Sequence, residues 1–218
     1  MGQNIPGLFL LGSTHRTAPL EVRERLAVPP ERLEAIYALL REKVSLPECL
    51  VLNTCNRVEL YGVAKNEAAA EALRKKLLEE IAQLHLLDAE ELAHYSFWKQ
   101  REAVVGHLFE VAAGLDSQMV GETEIFGQVK DSYADAARRG AAGPVLNRVF
   151  QKSFQAAKWA RTHTGIGRGA VSIGSVAVEL ATRIFGDLEQ SRVLLIGAGD
   201  VGQGVLQSLR GRGARNVT

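Results

Sequence analysis

The sequence predicts an α+β N-terminal domain followed by the start of an α/β, Rossmann-type dinucleotide-binding domain, truncated within these 218 residues. Three observations carry that reading. Short apolar runs alternate with amphipathic helical stretches from Leu8 to Val111. A polar loop, Asn53-Thr54-Cys55-Asn56-Arg57, joins two of those runs as a hairpin. Further on, an apolar run leads directly into Gly197-Ala198-Gly199-Asp200-Val201-Gly202 and then a helical pattern. The expected boundaries are 1–143 for the α+β domain, 144–168 for a basic connecting helix with a glycine-rich hinge, and 169–218 for the beginning of the second domain.

Taken in order, Leu8 to Leu11 reads as a short strand ended by Gly12 and Ser13. A helical turn follows Ala18-Pro19, and Pro29-Pro30 opens a second helix with Leu33, Ile36, Tyr37, Leu40 and Val44 on one face. Residues 49–52 and 58–64 form the hairpin strands around the cysteine loop. Asn66 is placed to cap a helix carrying Ala70, Leu73, Leu77, Ile81 and Leu84, and Ala93 to Trp98 reads as another strand. Val104, His107, Leu108 and Val111 share one helical stripe that Gly114 terminates. Asp116 and Ser117 read as a cap for the next turn. A helix with Ile125, Val129, Tyr133 and Ala136 then runs to Gly140, and Pro144 starts the long basic helix. A further apolar helix spans Val171 to Phe185, and Arg192 to Ile196 reads as the strand before the glycine turn.

Hydrophobic residues at 46% and charged residues at 23% fit a globular protein. No apolar segment approaches the roughly 20 residues of a membrane span, and no basic stretch precedes an apolar one at the N-terminus, so a cytoplasmic location with no membrane partner is expected. Cys49 and Cys55 do not form a disulfide framework, and the five histidines show no metal-ligand spacing. The net charge of +1 is unevenly spread: no acidic residue lies between Ala136 and Val178, where Arg138, Arg139, Arg148, Lys152, Lys158, Arg161 and Arg168 are found. Such a region marks either a polyanion partner or a solvated helix face.

Two stretches carry chemistry. In the glycine turn, the first glycine permits a tight bend, the second lets a pyrophosphate approach the backbone, and the third lets helix pack on strand, while the helix N-terminus favours phosphate. In the hairpin, Cys55 sits at a strand edge beside Arg57, whose guanidinium favours the thiolate if it folds over the sulfur. A lone hairpin cysteine is also a common packing residue, and a histidine on an apolar stripe is more often structural than catalytic. A thiol nucleophile, a basic helix and a dinucleotide turn together suggest covalent catalysis followed by hydride transfer.

The stretches His15-Arg16-Thr17-Ala18-Pro19, Thr54-Cys55-Asn56-Arg57-Val58-Glu59, His107 through Gly114-Leu115-Asp116-Ser117, Gly121-Glu122 with Gly127-Gln128-Val129-Lys130, and the Gly-Ala-Gly loop resemble the glutamyl-tRNA reductase family, in its order and spacing. The resemblance covers nearly the whole chain. It implies NADPH-dependent reduction of the glutamyl group of glutamyl-tRNA to glutamate 1-semialdehyde, the first step of tetrapyrrole synthesis from glutamate. On that reading the 1–143 domain is catalytic. Cys55 attacks the aminoacyl ester and holds a thioester, whose weaker resonance makes it a better hydride acceptor than an ester.

The resemblance also implies roles for other side chains. Arg57 reads the substrate γ-carboxylate, for which an arginine fork is suited. Thr54, Asn56, Ser117, Glu122, Thr123, Glu124 and Gln128 match substrate-contacting positions, and His107 matches an activity-critical histidine that protonates the departing ribose oxygen or assists the thiol. Gly197, Ala198, Gly199, Asp200, Val201 and Gly202 match the NADPH-binding turn. Glu124 departs from the glutamine often present in the family, and a carboxylate there repels an anionic substrate unless protonated, paired or turned away. The family further implies a homodimer and makes glutamate-1-semialdehyde aminomutase a candidate recipient of the product. Two readings stay open beside it: a cysteine-dependent acyl or aldehyde dehydrogenase acting on a free metabolite, and a non-catalytic tRNA-binding regulatory module.

Overall fold

A computed structural model of the chain describes residues 7–167, 173–197 and 199–218. Four strands, β1 (Leu8–Thr14), β2 (Glu48–Asn53), β3 (Arg57–Val63) and β4 (Phe97–Gln100), form an antiparallel sheet in the order β2-β3-β1-β4. The first strand is longer than expected, because Gly12 continues it: Gly12 pairs with Glu59, Ser13 with Val58 and Thr14 with Arg57. Gly12 is there for packing. A Cβ at this position would come within 2.7 Å of the Phe97 ring and 3.0 Å of Glu59 Cγ.

Helices cover both faces. Helices α1 (Leu20–Leu26), α2 (Pro30–Glu42), α3 (Glu67–His85) and α4 (Ala89–His94) lie on one side, where Leu26, Ile36, Leu40, Ile81 and Leu92 surround a small apolar void against Leu11, Val51 and Leu60. Asn66 caps α3 as predicted, its Oδ1 accepting from the Ala69 amide at 2.8 Å. The expected strand from Ala93 to Trp98 is corrected: Asp88 Oδ1 accepts from the Glu90 and Glu91 amides, starting the short helix α4, and pairing begins only at Phe97.

The other face receives α5 (Glu102–Ala113), α6 (Glu124–Arg138) and α7 (Pro144–His163). Tyr61 of the sheet meets Phe150 of α7 edge-on at 5.2 Å, and Leu146 and Phe150 are fully buried. The basic helix therefore completes the first core as well as leading out of it. Its N-terminus, which has no side-chain cap of its own, is held by Glu48 of β2: Oε1 accepts from the Val145 amide at 3.2 Å and Oε2 from the Leu146 amide at 2.8 Å. This satisfies two of the amide groups that a helix start leaves unpaired. At the sheet edge, the Cys49 amide donates to Ala141 O at 2.9 Å, so the residues after α6 close the ladder that β2 would otherwise expose.

A second, smaller core gathers Val178, Leu188, Leu209 and Ala214. It belongs to α8 (Ile173–Phe185), α9 (Asp200–Gly211) and the parallel pair β5 (Arg192–Val193) and β6 (Asn216–Val217). The strand expected over 192–196 is regular only at Arg192–Val193, although the Leu195 amide still donates to Thr218 O at 2.7 Å. Ala198, Arg168 and the expected helix start at 171–172 lie outside the described residues. Among the described residues, no helix is long and apolar enough to cross a membrane and no His, Cys, Asp and Glu cluster has the makings of a metal site.

Candidate active site

The hairpin between β2 and β3 turns in residues 54–56, and its shape is set by Thr54. The Thr54 amide donates to Arg57 O at 2.8 Å, while its hydroxyl accepts from the Asn56 and Arg57 amides, each at 3.2 Å. Two further groups hold the outside of the turn: the His15 amide donates to Asn56 O at 2.9 Å, and Arg23 Nη1 donates to Cys55 O. Cys55 is thereby presented at the tip, with its residue exposed. Cys49, six residues earlier in the strand, is the opposite case, and burial pushes its thiol up to about 11. Of the two thiols, only that of Cys55 is open to a substrate.

Cys55 opens onto a cavity lined by Thr54, Asn56, Arg57, Ser117, Glu122, Thr123, Glu124 and Gln128, together with Gln118, Met119 and Ile125. All eight residues matched by resemblance to substrate contacts thus face one space, although two separate segments supply them. The far wall is the loop between α5 and α6 and the first turns of α6. That loop is closed by the Gly121 amide, which donates to Gly114 O at 2.8 Å. Arg161 of α7 fastens it from behind, donating from Nη1 to Gly121 O at 3.2 Å and from Nη2 to Glu122 O. Gly121 has φ +87°, and a Cβ there would collide with the carbonyl of Ile166, so glycine is required by conformation and by space.

Arg57, Asp116 and His107 have partners that the sequence does not announce. Arg57 does not lie over the sulfur as a free cation. It is almost fully buried, and its Nη1 donates to Glu59 Oε1 at 2.8 Å and Asp116 Oδ2 at 3.2 Å while Nη2 donates to Asp116 O. Burial alone would lower the guanidinium pKa, but Glu59 and Asp116 outweigh it and raise it. Asp116 is accordingly no helix cap. Its carboxylate bridges Arg57 and Arg16, the latter at 3.1 Å, and α6 starts at Thr123 without a side-chain cap. His107, expected among the catalytic groups, does not line the cavity. Its Nε2 donates to Glu59 Oε1 at 2.8 Å, an oxygen that Arg57 Nη1 shares, and its ring packs by Phe97 at 5.3 Å.

Glu59 is the hub of this buried network. Its Oε2 also accepts from the Tyr61 hydroxyl at 2.6 Å. Complete burial pushes its carboxyl up, yet the hydrogen bonds and charges of His107, Arg57 and Tyr61 prevail and hold it below the usual range. With Glu59 ionised and acceptor-only, Nε2 of His107 is the donor in their hydrogen bond. Glu124, the departure from the family pattern, is exposed in the first turn of α6, where the helix dipole favours a carboxylate.

The second unit offers a turn of the kind that receives a pyrophosphate. Gly197 has φ +110°, Gly199 has open space around its missing Cβ, and a Cβ on Gly202 would lie 2.5 Å from Gly197 O. The 12-residue α9 starts at Asp200 with Gly199 as its cap and without a side chain on its first amides. These residues fit a dinucleotide phosphate.

Comparison with known proteins gives a consistent result. Residues 11–164 match the family model described as glutamyl-tRNAGlu reductase, N-terminal domain, and residues 179–218 match that of shikimate / quinate 5-dehydrogenase. The chain is 42% identical over 208 residues to glutamyl-tRNA reductase of Aquifex aeolicus, covering 95% of this chain and 50% of the relative. It is 43% identical over 212 residues to that of Akkermansia muciniphila, covering 96% and 61%. Among solved structures, glutamyl-tRNA reductase from Methanopyrus kandleri superposes with a TM-score of 0.68 at 38% identity, covering 97% of this chain and 48% of the other. The chain thus spans about half the length of the relatives it matches.

Proposed function

The chain belongs to the glutamyl-tRNA reductase family, and from that premise we propose that Cys55 takes the glutamyl group from glutamyl-tRNA as a thioester that is reduced to glutamate 1-semialdehyde, opening tetrapyrrole synthesis. The observation that carries this reading is the single cavity shared by the exposed thiol, Arg57 and the loop residues Ser117 to Gln128. Cys55 Sγ attacks the ester carbonyl, the ester C–O bond breaks, and the ribose oxygen departs and takes a proton. NADPH, when held on the turn from Gly197 through Ala198, Gly199, Asp200 and Val201 to Gly202, supplies the hydride for the reduction.

The chain's own residues hold and orient the acyl group. The substrate γ-carboxylate is read by Arg57, a cavity-lining residue whose side chain is 1% exposed before substrate enters, assisted by the uncapped start of α6 and by Thr54, Asn56, Ser117 and Gln128. Glu59 and Asp116 fix the plane of that guanidinium, and His107 fixes Glu59. His107 is on this reading a positioning residue. The complete protein is a cytoplasmic homodimer, and glutamate-1-semialdehyde aminomutase is the partner that consumes its product.

Glutamyl-tRNA incubated with this chain should release glutamate as the thioester hydrolyses, and Cys55→Ser should return release to the uncatalysed rate. Turnover of small glutamyl thioesters with none of glutamyl-tRNA would replace this reading by an acyl dehydrogenase of free metabolites. Release that survives in Cys55→Ser would remove the thiol from the mechanism.

A further inference from the structure

On the outer side of α7, Arg148, Lys152, Gln155, Trp159 and His163 recur at spacings of four, three, four and four. That spacing puts all five on one stripe, roughly 22 Å long at 1.5 Å per residue. All five are exposed. The opposite face, with Leu146, Val149, Phe150, Ser153 and Ala157, is the one buried in the core. Trp159 remains 61% exposed, and its ring stacks in parallel with the His163 imidazole at 4.8 Å and 15°. Most of this indole, extended by a second flat ring, faces solvent rather than the core. Helix α7 carries no acidic residue, nor does the sequence from Ala136 to Val178, so nothing on this helix repels an anion.

We propose that this stripe docks the single-stranded acceptor end of the tRNA, with unpaired bases stacking on Trp159 and His163 and phosphates following Lys152 and Arg148. The inference rests on the reading of glutamyl-tRNA as substrate and adds the surface that holds it. Bases present a π-face whatever their sequence, and aromatic platforms flanked by cations are the general means of holding unpaired strands. The position suits the chemistry. Arg161, on the same last turns of α7 but facing inward, binds the Gly121 and Glu122 carbonyls of the cavity wall. The aromatic end of the stripe therefore lies about one helix diameter, roughly 10–12 Å, from the loop that lines the thiol cavity.

The test uses indole emission. The chain has two tryptophans, and Trp98 is stacked on Phe9 at 4.8 Å with an indole N–H that makes no hydrogen bond, so Trp98→Phe leaves Trp159 as sole reporter at little cost. This variant is titrated with deacylated tRNA, with a short single-stranded RNA of the acceptor-end sequence, and with a blunt duplex RNA of equal length. The expected result is saturable quenching by the first two and not by the duplex. In the Trp98-containing chain, followed by filter binding, Trp159→Ala should weaken binding about five- to a hundredfold. Lys152→Ala should reduce the salt slope by about 0.7. Single-stranded binding that leaves Trp159 emission and both variants unchanged overturns the surface. If RNA fails to bind while glutamyl thioesters are still hydrolysed at Cys55, the surface falls and the thiol reading stands.

Discussion

Strand β3 shows two kinds of organisation on its two sides. Arg57, Glu59 and Tyr61 point one way into a buried hydrogen-bonded network, and Val58 and Leu60 point the other way into an apolar layer. The apolar side tolerates change in proportion to volume, because its contacts are non-directional. The polar side does not, because each buried donor or acceptor depends on a named partner. One face thus serves the fold alone, while the other packs against α7 and also sets the geometry of the thiol cavity.

The comparison can be broken at several points. Glu59→Ala has the largest expected effect: it strips Arg57, Tyr61 and His107 of their common acceptor and should cost about 3–5 kcal/mol in urea unfolding. It should also change the alkylation rate of Cys55 by a charged reagent, since Arg57 then keeps only its Asp116 partners and can shift. Leu60→Ala on the other face should cost about 2–5 kcal/mol with that alkylation rate unchanged. Equal disturbance of the thiol by both variants would dissolve the distinction between the faces. Arg161→Ala should cost about 1–3 kcal/mol and raise KM for the acyl substrate more than it lowers kcat, because it loosens the cavity wall without touching the thiol. A kcat loss with KM intact would contradict that placement.

The smallest effect is acid sensitivity, and it sharpens the contrast by assigning the groups. Burial holds His85, which borders the apolar void, below its ordinary 6.5, against the pull of its Nδ1 hydrogen bond to Arg25 O at 2.8 Å. Burial and then Arg57 do the same for His15. The unfolded chain takes these protons near 6.5 while the folded chain takes them only at lower pH, so stability is present above 6.5 and declines as pH falls toward the folded values. Glu59, held low, contributes its loss only further into acid. His85→Asn should flatten the decline between neutral pH and the carboxylate range; an unaltered slope in that variant would move the sensitivity elsewhere.

What was legible in the sequence is what is local. The cysteine loop stands out as a polar island between two apolar strands, Asn66 and Gly114 announce helix ends, and the glycine turn follows its strand. The partners of Arg57 were not legible in this way, because Asp116 is 59 residues away and looks like any acidic residue before a helix. Arg161 is hidden among the other cations of a basic helix until its carbonyl acceptors 39 and 40 residues upstream are located. His107 was correctly turned inward by its apolar stripe, but the stripe does not say which buried acceptor awaits it. The strand begins only at Phe97, rather than at Ala93, because Asp88 nucleates a six-residue helix in front of it.

The contrast between the two thiols has a consequence for redox life. Cys49 and Cys55 are the only cysteines in the chain, and at about 3.3 Å per strand residue six positions put them roughly 15–20 Å apart, far beyond disulfide reach. A sulfenic acid formed on exposed Cys55 therefore finds no resolving thiol in buried Cys49. Rescue needs a thiol other than Cys49, glutathione for instance, and without one oxidation proceeds to the irreversible sulfinic stage. The hairpin that exposes Cys55 so openly also leaves that thiol open to oxidants.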